Sequence, residues 1–596
     1  MALSTVSTFP CLKHPSFFLN VFHSSTKNFL SATKVVRPVN CIPNSVIYEP
    51  EVSRRKANYK PNIWDHDLLQ SLRSDYQDEA YVKRAEKLKE EINCLLQEAV
   101  NSLAQLEMID AIERLGLGHI FDKKIKEVLN TMWVSHNNNE NKGGTENKDL
   151  YATSLLFRLL RKHGYSVSQD VFNKFMDEKG GLNARVCEDI KGILSLYEAS
   201  HFAHQGETLL SECRTFTWMY LKAFKGSGDI ILANKVEHAL ELPMHWRIGR
   251  MEALWHLNMY ESVEHMNPTL LELAKLDFNM VQATHQRDLR KASRWWRSIG
   301  LGGKLSFSRD RMMECFFVAL GVMSEPQFGY PRVELAKVCQ LITTIDDIYD
   351  VFGSLDELEC FTDAVDRWDI KSIDLLPEYM KICFLALYNT TNEMGYEILK
   401  DQGINIIPYL QKGWTDFCKA MLVESKWYYS GYKPSLEEYL NNGWVSSSGP
   451  VILVHAFLLS KQPISTQVLD GLDKNPGLIR WPSMIFRLCN DLATYKDEKV
   501  RGDAPSSIDC YMKEANVSEM DARNHVEDLI FNSWKKLNEE VRTVSPYPPH
   551  FINCALNLAR VVHCIYQHGD GHTVQDRNTK DRLTSLLVRP IPLIVK

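Results

Sequence analysis

From Trp64 onward, apolar residues recur every three or four positions in almost every segment of the chain. The segment DLYATSLLFRLLRKHG places its apolar side chains on one helical stripe, with Asp149 as a candidate N-cap and Gly164 as a stop. The segment DIKGILSLYEA repeats the pattern. Runs of alternating polar and apolar residues flanked by turn pairs are few, so we predict an all-α fold. The polar insert at 136–148 is predicted to be a mobile loop.

The length, charge and cysteine content of the chain limit the classes of protein to which it can belong. With 596 residues and 44% hydrophobic content, it can bury at least two cores, since single cores stop growing near roughly 250 to 300 residues. A net charge of −6 argues against nucleic-acid binding. The 14 cysteines form no CxxC pair, which favours a reducing compartment. No later segment approaches the roughly 20 apolar residues of a membrane span, so we expect no membrane-spanning helix.

The first 48 residues differ in composition from the rest. They are rich in Ser and Thr, carry scattered Lys and Arg, and contain no acidic residue. This composition is typical of an organelle transit peptide, and we predict one over residues 1–48. The alternative is a disordered N-terminal tail.

An acidic cluster interrupts an apolar helical segment, LITTIDDIYDVFG. Residues four apart share a helix face, so Asp346 and Asp350 point the same way while Asp347 is turned by about 100°. Crowded carboxylates in apolar surroundings repel each other and resist desolvation, and a cation relieves both effects. Mg²⁺ is commonly held by one or two carboxylates together with substrate phosphates. The alternative is a solvated or ion-paired helix face.

A second oxygen-rich stripe and a set of arginines accompany this cluster. Asn490, Thr494 and Glu498 recur at intervals of four residues and form one stripe of a helix. Ligands on facing helices are a common way to build a metal site in a bundle. The arginines that could bind phosphate through paired hydrogen bonds are Arg309, Arg311 and Arg487. Together these residues predict a Mg²⁺ cluster that holds a diphosphate, against the alternatives of a polar helix edge and surface ion pairs.

These motifs resemble those of the plant terpene synthases, specifically the plastid monoterpene synthase branch, over nearly the whole chain after residue 48. DDIYD matches the family's aspartate-rich motif and NDLATYKDE its second metal motif. RRKANYKPNIW matches the tandem-arginine element of the branch, which is associated with cyclisation and here comprises Arg54, Arg55 and Trp64. The resemblance implies an N-terminal α-barrel domain over 49–270, without its own catalysis, and a C-terminal class I isoprenoid synthase bundle over 271–596.

The resemblance also assigns roles to individual residues. It implies three Mg²⁺ ions, with Mn²⁺ as an alternative, bound by Asp346, Asp350, Asn490, Thr494 and Glu498. It implies a diphosphate held by Arg309, Arg311, Asp346, Asp347, Asp350, Arg487 and Asn490. The residues expected to carry catalysis are Arg309, Asp346, Asp350 and Arg487.

The expected pocket walls bear on the product. They are Phe317, Val318, Cys339, Phe486 and Tyr566. Val318 stands where many relatives have Trp, which removes an aromatic face and favours acyclic products. Phe486 is similar to a large aromatic that shortens the pocket of isoprene synthases, but Cys339 occupies the other position of that pair. The loops around Arg501 and Asp570 resemble the family's closing lid, and Ser506 replaces a diphosphate-contacting Lys.

We therefore expect a monomeric lyase of the plastid stroma that acts on a prenyl diphosphate, geranyl diphosphate, and releases a ten-carbon olefin or alcohol. Val318 favours ocimene, myrcene or linalool, whereas Arg54 and Arg55 keep cyclic products such as α-terpineol or limonene available. The alternatives are a sesquiterpene synthase using farnesyl diphosphate, an isoprene synthase using dimethylallyl diphosphate, a chain-elongating prenyltransferase, for which a second DDxxD motif is missing, and a non-enzymatic α-helical scaffold. The N-terminal half has no DxDD-type motif, so ionisation is the expected initiation step.

Overall fold

The computed structural model describes residues 54–593 except 99–100, 141–148, 179–180, 184–185, 225, 227–228, 473–476 and 543–546. The predicted transit peptide lies outside these residues. Every extended regular element in the described ranges is a helix, and strand-like pairing there is confined to isolated bridges at Met176–Leu182 and Gln567–Gly569. The all-α prediction is confirmed. No described helix combines the length and apolarity needed to cross a bilayer.

The first nine α-helices form the N-terminal half. They are α1 His66–Ser71, α2 Glu79–Glu98, α3 Ser102–Arg114, α4 Gly118–Glu140, α5 Leu150–Lys162, α6 Ile190–Ser200, α7 Thr208–Ala223, α8 Ile230–Glu241 and α9 Gly249–Glu261, with 3₁₀ turns at Gln169–Phe175, Val186–Glu188 and Met244–Trp246. Helix α5 begins where predicted, because the Asp149 side chain accepts a hydrogen bond from the backbone N–H of Ala152 at 2.7 Å. Gly164 adopts the left-handed φ of 83° that follows the helix end.

The predicted loop at 136–148 is wrong over 136–140, where α4 continues to Glu140. The polar run there has no Gly or Pro before Gly143 to interrupt helical hydrogen bonding. Residues 141–148 lie outside the described part of the chain.

The remaining helices form the C-terminal half. They are α10 Pro268–Ile299, α11 Leu301–Lys304, α12 Met312–Val322, α13 Gly329–Asp347, α14 Leu355–Arg367, α15 Glu378–Gln402, α16 Ile407–Ser430, α17 Leu436–Ser446, α18 Gly449–Leu458, α19 Thr466–Gly471, α20 Gly477–Arg501, α21 Ser507–Ala515, α22 Glu519–Arg542, α23 Pro549–Tyr566 and α24 Arg577–Leu587, with 3₁₀ turns at Pro326–Phe328 and Ile370–Leu375 and a π-helix at Ile348–Phe352.

A closed ring of helices surrounds the centre of this half. Helix α12 packs on α13, α13 on α18, α18 on α20, α20 on α23, and α23 back on α12. The two segments with the predicted metal motifs, α13 with the following π-helix and α20, therefore lie on different sides of one interior space. The packing of apolar helix faces explains why the ring closes.

The two halves share a buried contact surface. The turn Met244–Trp246 inserts against α22 and α23, where Trp246 stacks on Trp534 with ring centroids 5.6 Å apart. His245 Nε2 hydrogen-bonds Asn538 Oδ1 at 2.8 Å, and Arg560 Nε donates to the His245 carbonyl at 2.9 Å. Helix α10 also packs against helices of both halves. It begins at Pro268, so the predicted boundary at 270/271 falls in its first turn and stays a prediction.

Candidate active site

The helices of the ring, together with α16 and α17, line a cavity of about 1110 Å³, including its open mouth. One part of its wall carries carboxylate, amide, hydroxyl and guanidinium groups: Arg309, Asp346, Asp350, Glu424, Arg487, Asn490, Thr494 and Glu498. Another part is mostly apolar: Val318, Cys339, Ile342, Phe417, Met421, Ile452, Phe486, Ile565 and Tyr566. The cavity therefore suits a molecule with an anionic head and a hydrocarbon tail.

The acidic cluster divides into two roles. Helix α13 ends at Asp347 and continues as a π-helix, and both Asp346 and Asp350 line the cavity. Asp347 does not line it. Its buried carboxylate accepts hydrogen bonds from the Arg309 backbone N–H at 2.7 Å and from Arg309 Nε at 2.9 Å. The structure thus places Asp347, predicted to touch substrate, behind Arg309 instead.

The oxygen stripe of α20 faces the same cavity. Asn490, Thr494 and Glu498 all contribute to its wall, and Thr494 Oγ1 donates to the Asn490 carbonyl at 2.9 Å. Burial, together with the charge of Asp491, raises the pKa of Glu498 to about 8. Enclosure and the neighbouring charges of Asp346, Glu424 and Asp503 raise the pKa of Asp350 well above its usual value. A nearby cation would lower both pKa values, because it favours the charged form of each carboxyl group.

The donor atoms fit a hard divalent cation. They are carboxylate, amide and hydroxyl oxygens, the ligands that Mg²⁺ prefers. In the described part of the chain, no three His, Cys, Asp or Glu side chains converge closely enough to hold a metal ion by themselves. This arrangement matches an ion that completes its coordination with waters or substrate oxygens, which is the usual behaviour of Mg²⁺.

Two of the three predicted arginines reach the cavity, Arg309 from the segment between α11 and α12 and Arg487 from α20. Arg309 forms an ion pair with Asp346, donates from Nη1 to Thr573 Oγ1 at 2.8 Å, and lies 4.8 Å from the ring centre of Tyr59. Arg487 lies one turn before Asn490, with Nη1 3.6 Å from Asp491 Oδ1. Fixed guanidinium groups on two walls can bind the oxygens of one diphosphate.

Two other predicted residues, Arg311 and Phe317, lie outside this wall. Arg311 is buried, and its guanidinium donates to backbone carbonyls instead of facing the cavity. Phe317 lies against a smaller cavity of about 350 Å³ on another side of α12. Helical periodicity explains this, because the adjacent residue Val318 is turned by about 100° and faces the main cavity.

The apolar wall contains the other predicted pocket residues. Val318, Cys339, Phe486 and Tyr566 all line the cavity. The rings of Phe486 and Tyr566 lie 6.1 Å apart and present aromatic surface to its interior. Val318 contributes an aliphatic surface.

The tandem-arginine element forms an extended segment at the cavity mouth, residues 54–64, which we call the strap. Arg54 donates to the Phe352 carbonyl at 2.8 Å and pairs with Glu357 at 2.9 Å. Arg55 donates to the Asp350 carbonyl at 2.7 Å and forms an ion pair with Asp503. Trp64 is buried and donates from Nε1 to Glu314 at 3.0 Å. These three predicted residues thus hold the strap to the C-terminal half.

Three of the cavity residues were not predicted from the sequence. Tyr59 comes from the strap and Glu424 from α16, while His572 follows α23. Burial and the charge of Arg309 lower the pKa of His572 to about 4, and the imidazole shares a hydrogen bond with Thr343 at 3.0 Å. Tyr59 and His572 could have been found, because each lies in a segment already identified from the sequence, the tandem-arginine element and the lid-like loop. Glu424 lies in neither.

Two family profiles match the chain. The terpene synthase N-terminal domain matches residues 63–240, and the metal binding domain of the terpene synthase family matches residues 297–536. The chain is 52% identical to (−)-alpha-terpineol synthase of Vitis vinifera over 99% of each protein. It is 51% identical to the chloroplastic myrcene synthase of Quercus ilex over 94% of each.

The fold is similar to two kinds of solved structure. One is limonene synthase with 2-fluorolinalyl diphosphate, with a TM-score of 0.88 and 43% identity over 91% of this chain and 100% of that chain. Another is isoprene synthase from grey poplar with three Mg²⁺ ions and dimethylallyl-S-thiolodiphosphate, with a TM-score of 0.81 and 46% identity over 89% and 99% of the two chains. The two profile matches, the full-length relatives and the similar solved structures agree that the chain belongs to the terpene synthase family.

Proposed function

We propose that this chain is a monoterpene synthase that ionises geranyl diphosphate and releases diphosphate and a ten-carbon olefin or alcohol. The observation that carries the proposal is the division of one cavity into a polar wall, with Arg309, Arg487 and two oxygen stripes, and an apolar wall. The relatives named for terpineol and myrcene synthesis support a ten-carbon product.

Metal binding is assigned to the two stripes. Asp346 and Asp350 would hold Mg²⁺ on one side, and Asn490, Thr494 and Glu498 on the other. The three Mg²⁺ ions of the isoprene synthase structure support a count of three, with Mn²⁺ as an alternative. Bound divalent ions neutralise the charge that develops on a departing diphosphate.

Diphosphate binding and carbocation stabilisation are assigned to side chains of the protein. Arg309 and Arg487 bind the diphosphate oxygens, and Asp347 orients Arg309 through its two hydrogen bonds. The carbon–oxygen bond breaks with its electron pair passing to diphosphate, which leaves an allylic carbocation. The rings of Phe486 and Tyr566 can each stabilise this charge by about 0.5 to 2 kcal/mol.

The carbocation then loses a proton to give an olefin, or adds water and loses a proton to give an alcohol. His572 is placed to accept a proton, because its lowered pKa of about 4 keeps the imidazole neutral near pH 7. The apolar wall excludes bulk water and so favours the olefin.

The proposal also covers the type of terpene product and the compartment in which the enzyme acts. Val318 favours acyclic products and the strap arginines favour cyclic ones, and relatives of similar identity are named for both types. Farnesyl and dimethylallyl diphosphate are the alternative substrates. We place the mature enzyme in the plastid stroma as a monomer without a nucleic-acid partner, supported by the chloroplastic naming of the Quercus ilex relative.

The test uses the compact unit from residue 53 onward, beside the full chain, incubated with Mg²⁺ and separately with geranyl, farnesyl and dimethylallyl diphosphate. We expect a ten-carbon volatile from geranyl diphosphate by gas chromatography and mass spectrometry, lost with chelator and in Asp346→Asn. The matched control is Asp363→Asn on the exposed face of α14, which should retain activity. Dominant turnover of either other substrate, or of none, would contradict the proposal.

A further inference from the structure

Arg311 holds two separate chain segments together beneath the cavity mouth. Its side chain is 1% exposed, and Nη2 donates to the Lys60 carbonyl at 2.9 Å and to the Thr573 carbonyl at 3.1 Å. Nη1 donates to the carbonyl of Asp310 at 2.8 Å. Lys60 belongs to the strap and Thr573 to the loop between α23 and α24, so one guanidinium bridges both.

Both bridged segments touch Arg309. Tyr59, the residue before Lys60, places its ring 4.8 Å from the Arg309 guanidinium carbon. Thr573 accepts a hydrogen bond at Oγ1 from Arg309 Nη1 at 2.8 Å. The hydrogen bonds from Arg311 to the two backbones therefore fix the positions of Tyr59 and Thr573, two of the residues that contact Arg309.

A second set of contacts, one helical turn further on, repeats the arrangement. Glu314 Oε1 accepts from Trp64 Nε1 at 3.0 Å and from Gln575 Nε2 at 2.8 Å. Gln575 also accepts at Oε1 from the backbone N–H of Ile63 at 3.1 Å. The start of α12 thus binds the strap and the loop at two successive points, and we call Arg311, Glu314, Trp64 and Gln575 the clasp.

We propose that Arg311 is a positioning residue of the clasp, not a ligand of the diphosphate, and that the clasp keeps the strap and the loop after α23 closed over the reacting carbocation. This inference rests on the proposed function. The wall of the cavity includes Arg309 and Tyr59 but not Arg311. Opening the clasp would free Tyr59 and Thr573 together and admit water at the cavity mouth.

The test compares Arg311→Lys, which keeps the charge but loses the forked geometry, with Trp64→Phe, which removes the indole donor to Glu314 and leaves a smaller buried ring. Trp64 lies outside the cavity wall, so a shared phenotype identifies the clasp. We expect each variant to raise the ratio of alcohol to hydrocarbon product about fivefold, the population change that corresponds to one buried hydrogen bond. Trypsin cleavage after the exposed Lys56 should rise by a similar factor.

The double variant tests the coupling. Because both side chains stabilise one closed state, their effects on the closing equilibrium should multiply, so Arg311→Lys with Trp64→Phe should raise the product ratio and the cleavage rate together by about 25-fold. The matched control is Arg560→Lys, which removes a guanidinium bond to the His245 carbonyl away from the cavity. It should leave the product ratio and the cleavage rate unchanged.

Two results would overturn the clasp. One is a raised KM in Arg311→Lys with the wild-type product ratio and cleavage rate, as expected if Arg311 binds diphosphate directly. The other is a product ratio that rises in the variants while the cleavage rate stays at the wild-type value, because one closure must change both. Strap cleavage needs no substrate, so it tests the clasp even if geranyl diphosphate proves not to be the substrate and the proposed function fails.

Discussion

Asp491 offers a sharp test of how the site is held together. Its carboxylate is 1% exposed and accepts from the Tyr439 hydroxyl at 2.8 Å and from the Ser507 backbone N–H at 3.1 Å. Arg487 Nη1 lies 3.6 Å away. One carboxylate therefore connects α17, the start of α21 and an arginine of the cavity wall. The perturbation is Asp491→Asn.

The expected cost follows from these three contacts. The Asn amide oxygen can replace one carboxylate oxygen, but its NH₂ group cannot accept a hydrogen bond, so either the Ser507 N–H or the Tyr439 hydroxyl proton loses its acceptor. A buried donor without an acceptor costs about 1 to 3 kcal/mol, and losing the charge opposite Arg487 adds about 1 kcal/mol. We expect the free energy of unfolding to fall by about 2 to 4 kcal/mol.

The activity should fall as well. Arg487 keeps Ser446 Oγ at 3.2 Å and Glu424 at 3.9 Å, so it stays near the cavity but is less constrained. We expect kcat/KM to drop about tenfold to a hundredfold, which corresponds to about 1.4 to 2.8 kcal/mol. Urea unfolding followed by circular dichroism measures the stability, and steady-state kinetics with geranyl diphosphate and Mg²⁺ measures the activity.

The control is Asp497→Asn, an exposed position on the same helix that removes the same charge. It should change the free energy of unfolding by less than about 0.5 kcal/mol. If Asp491→Asn behaves like this control in both measurements, the reasoning that one buried carboxylate organises this side of the cavity is refuted.

Three further outcomes are expected. Phe486→Ala should raise kcat/KM for farnesyl relative to geranyl diphosphate about tenfold, measured by competition, because it enlarges the cavity. Burial alone would raise the pKa of Glu357, but bonding to Arg54 lowers it from 4.5 to about 2. The pair's stabilisation should therefore be full above pH 4.5 and vanish towards pH 2, seen as the Tm difference between wild type and Glu357→Gln. Arg158→Met should destabilise the N-terminal half by about 1 to 3 kcal/mol in urea unfolding, because buried Arg158 pairs with Asp110, which keeps its ion pair with Arg114.

Local patterns predicted the helices well, because capping and apolar periodicity act within a few residues. Asp149 caps the start of α5 and Gly164 follows its end, as predicted. The prediction of a loop at 136–148 was wrong over 136–140, since polar composition alone does not end a helix without Gly or Pro. Periodicity also anticipated that Asp346 and Asp350 share a face, and the structure places both on the cavity.

The sequence by itself determined the all-α class, the two oxygen stripes and the family, because each depends on residues that are close together in the chain. Only the tertiary structure decided which residues meet. Tyr59, Glu424 and His572 reach the cavity from distant segments, while Arg311 and Asp347 turn away from it. Helix periodicity fixes the relative directions of side chains within one helix, but packing between helices fixes which direction faces the cavity.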